Sequence, residues 1–212
     1  MRILNIAPES PYNEGWGYQD NLLPKYQARL MNNEVTLVIT TQTHRDGRIE
    51  ETEQADYCSE DGFRVIRRPV KHVNIMGLGK LLFYIDINDV LQTFKPDLIF
   101  LHGLSSITIF QVIAYKKKNP DVVIVRDNHL DYNIGYKPDS NLKSKAICLI
   151  YKAINKITIK YVDRVYCVTP WRKKYAEDVF GIPENKTDVL IMGACWSASV
   201  TGKRSTIHIR NA

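Results

Sequence analysis

Short apolar segments rich in β-branched residues alternate along the chain with longer segments in which apolar residues recur at helical spacing. Segments 98–101 and 122–125 are continuously apolar, which is typical of strands covered on both faces of a sheet. This alternation predicts an α/β fold with a parallel sheet sandwiched by helices. The predicted strands are 2–7, 34–41, 63–67, 97–102, 122–126, 164–168 and 188–192. The predicted helices are 21–31, 79–93, 107–118, 142–161 and 170–180.

Turn-forming residues mark the boundaries of the predicted elements. Pro170 falls in the first turn of the last helix, directly after Thr169, which we predict to be its N-cap. Segment 42–60 is polar and acidic and is predicted to be an exposed loop. We therefore predict one Rossmann-like domain over residues 1–194, followed by an atypical polar tail at 195–212.

Candidate chemistry lies where the predicted strands end. In an open parallel sheet, ligands bind in the crevice at the carboxyl ends of the strands. Polar residues follow several predicted strands: the loop after the first strand, then His102 with Gly103, segment 127–129 and Thr169. Because this set contains glycines, histidines and acids, we predict that it contacts substrate.

The loop after the first strand contains Gly15, Trp16, Gly17 and Tyr18, shortly before a predicted helix. Glycines let backbone N–H groups approach an anion, and a helix N-terminus favours negative charge. A dinucleotide fingerprint needs a third glycine where Asp20 stands, and an acid at the end of the second strand, so the sequence argues against NAD binding. The loop is interpreted either as a contact for a phosphate or an acceptor, or as a simple turn.

His129 directly follows a buried strand and is predicted to contact substrate. His102 has the analogous position on the preceding strand, where it is either a second contact or a structural histidine. Asp127 and Asp131 either orient His129 or bind a hydroxyl, or they cap the following segment. Asn128 belongs to the same set of candidate substrate-binding residues.

Segment 142–161 carries lysines and no acid, and Lys145, Lys152, Lys156 and Lys160 share one stripe of the predicted helix. The net charge of +6 favours anionic partners without choosing among them. The helix either docks on an anionic membrane surface or packs on the core with a solvated cationic face.

Other features of the sequence exclude several classes of protein and predict its cellular compartment. No segment is long and apolar enough to span a bilayer, and the N-terminus lacks the apolar region of a signal peptide. The cysteines are scattered without a Cys-x-x-Cys pair, which predicts reduced thiols in a cytoplasmic protein. Metal-ligand spacing, a Walker loop, a nucleophile elbow and nucleic-acid motifs are lacking, so we expect no metal, no cofactor and no nucleic-acid partner.

Segments 161–170, 174–186 and 189–194 resemble the end of the N-terminal domain in glycosyltransferases of family four, which have the GT-B fold. The opening strand, segment 96–103 and the strand before His129 follow the same order, so the resemblance spans about residues 1–194. It implies a retaining transfer of a sugar from a nucleotide-sugar donor to an acceptor held by this domain.

The resemblance also implies residue roles. Gly15 and Gly17 match the family's glycine-bearing first loop, which approaches the donor phosphates, although this chain has Gly-Trp-Gly in place of a Gly-Gly pair. His129 matches the histidine that projects toward the transferred sugar. Backbone N–H groups can stabilise a leaving diphosphate, and a positioned polar group can steady an oxocarbenium-like sugar.

The family's second domain binds the nucleotide, and the 212 residues contain no counterpart of its Glu-x7-Glu motif. We therefore expect a truncated or frame-shifted chain with little transferase activity alone. The implied acceptor is a glycan, a lipid-linked sugar or a small molecule, and the basic helix favours cell-envelope polysaccharide synthesis at the inner face of the membrane. The alternatives are a non-catalytic α/β binding or regulatory module, a nucleotide-sugar epimerase and, from charge alone, a nucleic-acid binder.

Overall fold

The computed structural model describes residues 1–29, 33–75 and 79–190. The predicted tail at 195–212 and the end of the predicted strand 188–192 lie outside these residues, so the predicted domain boundary stays a prediction. The described strands are β1 (Arg2–Ala7), β2 (Glu34–Thr40), β3 (Gln42–Arg45), β4 (Arg48–Glu51), β5 (Ala55–Cys58), β6 (Arg64–Arg68), β7 (Lys71–Ile75), β8 (Gly79–Tyr84), β9 (Leu98–Leu101), β10 (Val123–Asn128), β11 (Arg164–Cys167) and β12 (Thr187–Val189). The described helices are α1 (Gln19–Arg29), α2 (Asn88–Phe94), α3 (Ile109–Lys118), α4 (Leu142–Thr158) and α5 (Pro170–Phe180).

One eight-stranded sheet organises the fold, in the order β12-β11-β10-β9-β1-β2-β6-β5. Every neighbouring pair is parallel except β5 and β6, which pair antiparallel at one edge. The chain proceeds from β1 toward β6 on one side and then returns to add β9 to β12 on the other. The prediction of a Rossmann-like α/β fold is confirmed, and the strand order reverses between β1 and β9.

The sheet is covered on both faces. Successive side chains of a strand point to opposite faces, so each central strand contributes to two cores. Leu4 and Ile6 of β1 pack in a core that includes residues of α2, α3, α4 and α5. Ile3 and Ala7 of the same strand pack in a second core, against which Ala28 of α1 lies. Burial on both faces explains why these strands are continuously apolar in sequence.

The predicted loop at 42–60 is wrong, because it contains β3, β4 and β5. β3 and β4 form an antiparallel hairpin that turns at Asp46 and Gly47, both with positive φ. Every residue of β4 is exposed, so the hairpin leaves no apolar alternation in the sequence. Its signal is the Asp-Gly pair, which favours a two-residue hairpin turn.

The predicted helix at 79–93 is also wrong over its first half. Residues Gly79–Tyr84 form β8, which pairs antiparallel with β7, and only α2 is helical. The following Ile85 and Ile87 are fully buried. Periodicity alone does not separate a short apolar strand from a buried helix, and pairing with β7 decides this case.

The other predicted helices are present, with ends shifted by a few residues. Thr169 is the N-cap of α5 as predicted, because its Oγ1 accepts a hydrogen bond of 3.2 Å from the backbone N–H of Arg172. Gly181 ends this helix in the left-handed conformation with φ of 67°. The Thr169 cap fixes the start of α5 at the carboxyl end of the sheet, where the candidate site lies.

Candidate functional site

A cleft of about 540 Å³ opens at the carboxyl ends of β1, β9, β10 and β11. Its walls come from the loop after β1, the start of α1, strand β3, the loops after β9 and β10, and the first turn of α5. The cleft therefore lies where the strand order reverses, which is the place that open α/β sheets use for ligands. His102, Gly103, Asn128, His129 and Tyr18 are the predicted site residues that line it.

Asp127, near the end of β10, holds the site together. Its fully buried carboxylate accepts four hydrogen bonds. Oδ2 accepts from Gln19 Nε2 at 2.8 Å, from His102 Nδ1 at 2.8 Å and from His129 Nε2 at 3.0 Å. Oδ1 accepts from the backbone N–H of Gly103 at 2.9 Å. Of the roles left open for Asp127, the geometry supports the orientation of His129.

The Asp127 carboxyl carries a negative charge. Burial raises the pKa of the Asp127 carboxyl, but the charges and hydrogen bonds of His102 and His129 outweigh burial and hold that pKa far below its usual range. Asp127 is therefore ionised, and each histidine nitrogen that faces it acts as a donor.

His102 is 5% exposed and its ring stacks on Phe100, with 4.6 Å between the ring centroids. Burial lowers the pKa of His102, while the charge and hydrogen bond of Asp127, with the charges of Asp20 and Glu9, outweigh it and raise the pKa. Among the described residues, His102 Nε2 has no hydrogen-bond partner. His129, in contrast, is half-buried at the cleft surface.

Glu9 brings a second carboxyl group into the cleft. Its Oε1 accepts hydrogen bonds of 3.0 Å from both the backbone N–H and the Oγ of Ser105. Burial raises the pKa of Glu9, against the lowering effect of the bonds from Ser105. Gly103 permits this arrangement, because it has φ of +81° and a Cβ there would lie 2.3 Å from Glu9 Oε1.

Arg126 supports the loop after β9 from beneath. Its side chain is 1% exposed, and Nη2 and Nε donate to the carbonyl oxygen of Gly103 at 2.8 and 3.1 Å. Nη1 donates to Asn155 Oδ1 at 2.8 Å, and Asn155 Nδ2 in turn donates to the carbonyl of Leu104. Burial lowers the pKa of Arg126 to about 10, so the guanidinium stays charged at neutral pH.

The remaining predicted residues of the loop after β10 have internal partners. Asn128 Nδ2 donates to the carbonyls of Leu130 and Arg172, at 2.8 and 3.0 Å. Asp131 Oδ1 accepts from the backbone N–H groups of Asn133 and Ile134, and its Oδ2 lies 3.4 Å from Arg172 Nε. Asp131 thus caps the following turn, which is one of the two roles that the sequence left open. The side chain of Thr169 is occupied as the cap of α5.

The glycines of the first loop do not line the cleft, but the next part of that loop does. Gly15 has φ of 79°, and Tyr18 reaches the cleft. Trp16 stacks on His44 of β3, with 5.6 Å between the ring centroids. His44 lines the cleft and was missed in the sequence, because its segment was predicted to be a loop.

The first loop and the β3–β4 hairpin are joined by two reciprocal hydrogen bonds. Asn13 Nδ2 donates to the carbonyl of His44, and the N–H of His44 donates to Asn13 Oδ1, each at 2.8 Å. The backbone N–H of Tyr12 donates to the carbonyl of Gln42 at 2.9 Å. These bonds hold together the first loop and strand β3, which both contribute to the wall of the cleft.

Three side chains of the cleft have donor atoms close enough to share one cation. The ligand atoms of His102, Asp127 and His129 lie within 4.8 Å of one another. Asp127 Oδ2 accepts hydrogen bonds from both histidines and from Gln19, so a cation at this oxygen would have to replace these hydrogen bonds. That no metal takes part stays a prediction.

Four lysines were predicted to face a membrane, and all four are exposed and do not line the cleft. Lys145, Lys152 and Lys156 lie on α4, and Lys160 lies in the short 3-10 helix that follows it. Lys152 Nζ donates to the carbonyl of Asp178 at 3.1 Å. In the described part of the chain, no helix combines the length and the hydropathy that crossing a bilayer requires.

Fold and site together define a Rossmann-like α/β domain with a polar ligand cleft at the switch point of its sheet. The sequence model of Glycosyltransferase Family 4 matches residues 23–193, and the chain therefore belongs to this family. The resemblance to the family's N-terminal domain is confirmed. None of the curated protein sequences compared with the chain matches it.

Among the solved structures that are similar to this chain, three each share 16% sequence identity with it. They are an alpha-glucosyltransferase in complex with UDP and a 13-mer DNA containing a central A:G mismatch, a UDP-N-acetylglucosamine 2-epimerase from Rickettsia bellii, and a UDP-GlcNAc 2-epimerase from Neisseria meningitidis bound to UDP-GlcNAc. Their TM-scores are 0.39, 0.43 and 0.39, and the matches cover 80, 89 and 92% of this chain. The same matches cover 37, 44 and 47% of the other chains, so this chain spans less than half of their length.

Proposed function

We propose that this chain is the acceptor-side domain of a retaining glycosyltransferase. In this proposal it takes part in moving a sugar from a nucleotide-sugar donor to a glycan, a lipid-linked sugar or a small molecule held in the cleft. Membership of Glycosyltransferase Family 4 supports the class of reaction. The observation that carries the proposal is His129, half-buried at the cleft and hydrogen-bonded to the ionised, fully buried Asp127.

His129 is proposed to contact the transferred sugar. With Nε2 donating to Asp127, the other ring nitrogen of a neutral imidazole remains an acceptor. A retaining transfer passes through a sugar with developing positive charge. The negative charge of Asp127 polarises the ring of His129, which would then stabilise the positive charge on the sugar. Both side chains are already in place, so neither has to move during the reaction.

Although Gly15 and Gly17 do not line the cleft, the loop that carries them is proposed to approach the donor phosphates with their backbone N–H groups. Gly15 has a positive φ, and the left-handed backbone conformation at this position would cost any other residue free energy. Neither a metal nor a cofactor is part of the proposal, because backbone N–H groups and the helix N-terminus of α1 can stabilise a leaving diphosphate.

The proposal includes a division of labour between two domains. This domain would hold the acceptor, and a second domain of the GT-B type would hold the nucleotide. The purified 212-residue chain is then expected to release UDP from UDP-glucose or UDP-GlcNAc far more slowly than the 1 to 10³ s⁻¹ that is roughly typical of enzymes. Turnover of either donor within that range would contradict this division.

A contact with the inner face of an anionic membrane is proposed for α4. Leu142, Leu149 and Ile157 are 84, 58 and 58% exposed on this helix. Among the described residues, no lysine of α4 forms a salt bridge with an acid, so its charge is available to anionic lipid. Such a contact would bring the cleft to a lipid-linked acceptor of cell-envelope polysaccharide synthesis.

Binding of neutral polyols tests the proposed function directly. The probes are methyl α-D-glucopyranoside, methyl α-D-mannopyranoside, N-acetylglucosamine and myo-inositol, and the readout is NMR of the histidine side chains. We expect at least one probe to give a saturable shift at His129 and none at His72, which lies on β7 away from the cleft. If no probe shifts His129 in preference to His72, the cleft does not hold a sugar acceptor and the proposal fails.

A further inference from the structure

Two buried polar atoms without partners belong to neighbouring side chains of the cleft. Among the described residues, Gln19 Oε1 and His102 Nε2 form no hydrogen bond, although both atoms are buried. Both residues line the cleft. Buried polar atoms in native proteins are nearly always hydrogen-bonded, so a pair of exceptions at one cleft indicates a ligand.

Both side chains are held by the same atom, which fixes the polar atom that each leaves unpaired. Gln19 Nε2 and His102 Nδ1 both donate to Asp127 Oδ2, at 2.8 Å each. An ionised carboxylate only accepts, so the amide nitrogen of Gln19 must face Asp127 and its Oε1 is left as an acceptor. The raised pKa of His102 favours the imidazolium, whose Nε2–H is a donor.

An acceptor atom and a donor atom in side chains of one cleft select the chemistry of the ligand. Hydroxyl groups suit both atoms, because a hydroxyl donates its proton to an acceptor such as Gln19 Oε1 and accepts through its oxygen from a donor such as the Nε2–H of His102. A phosphate dianion has mostly acceptor oxygens, with a single O–H in HPO4²⁻ to pair with Gln19 Oε1. It would also meet the negative charges of Asp127 and of Asp20, whose Oδ1 lies 3.9 Å from His102 Nδ1.

We propose that Gln19 and His102 form a hydroxyl-binding subsite that recognises ring hydroxyls of a neutral sugar or cyclitol. This subsite rests on the proposed function, because it names the chemical class of acceptor that the cleft holds. It adds Gln19 to the site as a binding residue and gives His102 a contact with substrate in place of a structural role. Asp127 is its positioning residue, since it orients both side chains.

The test compares two substitutions of the same type on one helix. Gln19→Met removes both polar atoms of the side chain while keeping its length. Gln27→Met is the matched control on α1, because Gln27 Oε1 accepts from Asn5 Nδ2 at 2.7 Å and does not line the cleft. Circular dichroism and thermal unfolding of both variants establish that they are folded before binding is measured.

The probes are myo-inositol and methyl α-D-glucopyranoside, titrated into the full chain and followed by NMR of the histidine side chains. In the wild-type chain we expect a saturable shift of the NMR signal of His102 Nε2. This first result does not depend on any variant. We expect Gln19→Met to weaken the affinity about tenfold and Gln27→Met to leave it unchanged, as the loss of one well-placed hydrogen bond predicts.

Inorganic phosphate, titrated in the same way, separates the subsite from an anion site. If phosphate shifts His102 and binds more tightly than the polyols, the subsite is overturned. If a polyol shifts His129 but leaves His102 unchanged, or binds Gln19→Met as tightly as wild type, the subsite is overturned while the proposed function stands. If no polyol shifts either histidine, the proposed function fails with it.

Discussion

The buried guanidinium of Arg126 donates two hydrogen bonds, of 2.8 and 3.1 Å, to the carbonyl oxygen of Gly103. This pairing joins a strand of the core to the loop that carries the cleft. Because the N–H of Gly103 also donates to Asp127, both ends of this one residue are fixed by β10. The position of His102, one residue earlier, therefore depends on a charged side chain that is buried and does not line the cleft.

Replacing Arg126 is expected to destabilise the fold strongly. Arg126→Met keeps much of the volume but leaves the carbonyl of Gly103 and Asn155 Oδ1 buried without donors. Each of the two orphaned acceptors costs about 1–3 kcal/mol, so we expect a loss of about 2–6 kcal/mol in the free energy of unfolding. The measurement is unfolding in urea at neutral pH.

The control for this prediction is Arg64→Met. Arg64 pairs with Asp56 at the surface, where both side chains are about half exposed. Exposed ion pairs contribute about 1 kcal/mol at most, so this variant should lose little stability. Equal losses for the two arginines would contradict the role assigned to Arg126.

Substitution of Gly103 is expected to damage the site through Glu9. In Gly103→Ala the new Cβ would lie 2.3 Å from Glu9 Oε1, on a backbone with φ of +81°. Gly47→Ala has a comparable φ of +75°, but nothing lies within 4 Å of its Cβ. The left-handed backbone costs each variant about 1–2 kcal/mol, and the clash should cost Gly103→Ala about 1–3 kcal/mol more.

The two glycine variants are compared by urea unfolding and by the side-chain NMR signal of His102. We expect the His102 signal to move in Gly103→Ala and to stay in place in Gly47→Ala. If the two variants have equal free energies of unfolding and the His102 signal does not move, the Glu9 side chain can shift to make room for a Cβ. Glycine would then not be required at position 103.

The pattern of apolar segments was enough to predict the sheet but not the hairpins. Strands β9 and β10 are largely buried, and their burial is recorded in the apolar runs 98–101 and 122–125. The β3–β4 hairpin is held by hydrogen bonds between Asn13 and His44, which leave no periodic signal. Exposed strands fixed by polar contacts with distant loops leave no apolar alternation, and the Asp46-Gly47 pair is the local signal of this hairpin.

The site also contains residues that the sequence predicted and residues that it did not. His102, Asp127 and His129 could be predicted, because each follows an apolar strand and the carboxyl ends of parallel strands meet. Gln19 joins them through a contact with Asp127 that spans 108 residues of sequence, and no local pattern records it. Arg126 had a signal that was missed: an arginine inside an apolar strand must find partners when it is buried.

The pKa of His102 is expected to lie above 6.5 and to depend on Asp127. Burial lowers the pKa of His102, whereas the charges of Asp127, Asp20 and Glu9 raise it and prevail. In Asp127→Asn the largest of these charges is removed, so the pKa of His102 should fall below its wild-type value. NMR titration of the histidine side chains measures both values.

This shift has a consequence for stability. A raised pKa in the folded state means that protonated His102 stabilises the fold fully below the unfolded pKa, near 6.5. That contribution is lost as the pH rises through the folded pKa. Between pH 6 and pH 9 the free energy of unfolding should therefore decline more steeply in wild type than in His102→Gln; parallel declines would show that His102 does not titrate with folding.

Binding of α4 to anionic membranes is expected to depend on its exposed lysines. Lys145→Glu combined with Lys156→Glu reverses two charges on the outward face of the helix. A lysine near an anionic surface contributes about 1 kcal/mol, so the double variant should bind liposomes that contain anionic lipid at least about tenfold more weakly than wild type. Co-sedimentation at low ionic strength measures this, and added salt should weaken wild-type binding, because exposed charges are screened.

Arg45→Glu combined with Arg48→Glu is the matched control for α4. These arginines lie in the exposed β3–β4 hairpin, and their reversal changes the net charge by the same amount. If the control lowers co-sedimentation as much as the α4 variant, net charge alone attracts the protein and α4 is not a docking surface. If wild type does not co-sediment with anionic liposomes even at low salt, the exposed leucines and lysines of α4 face solvent, and the membrane contact is excluded.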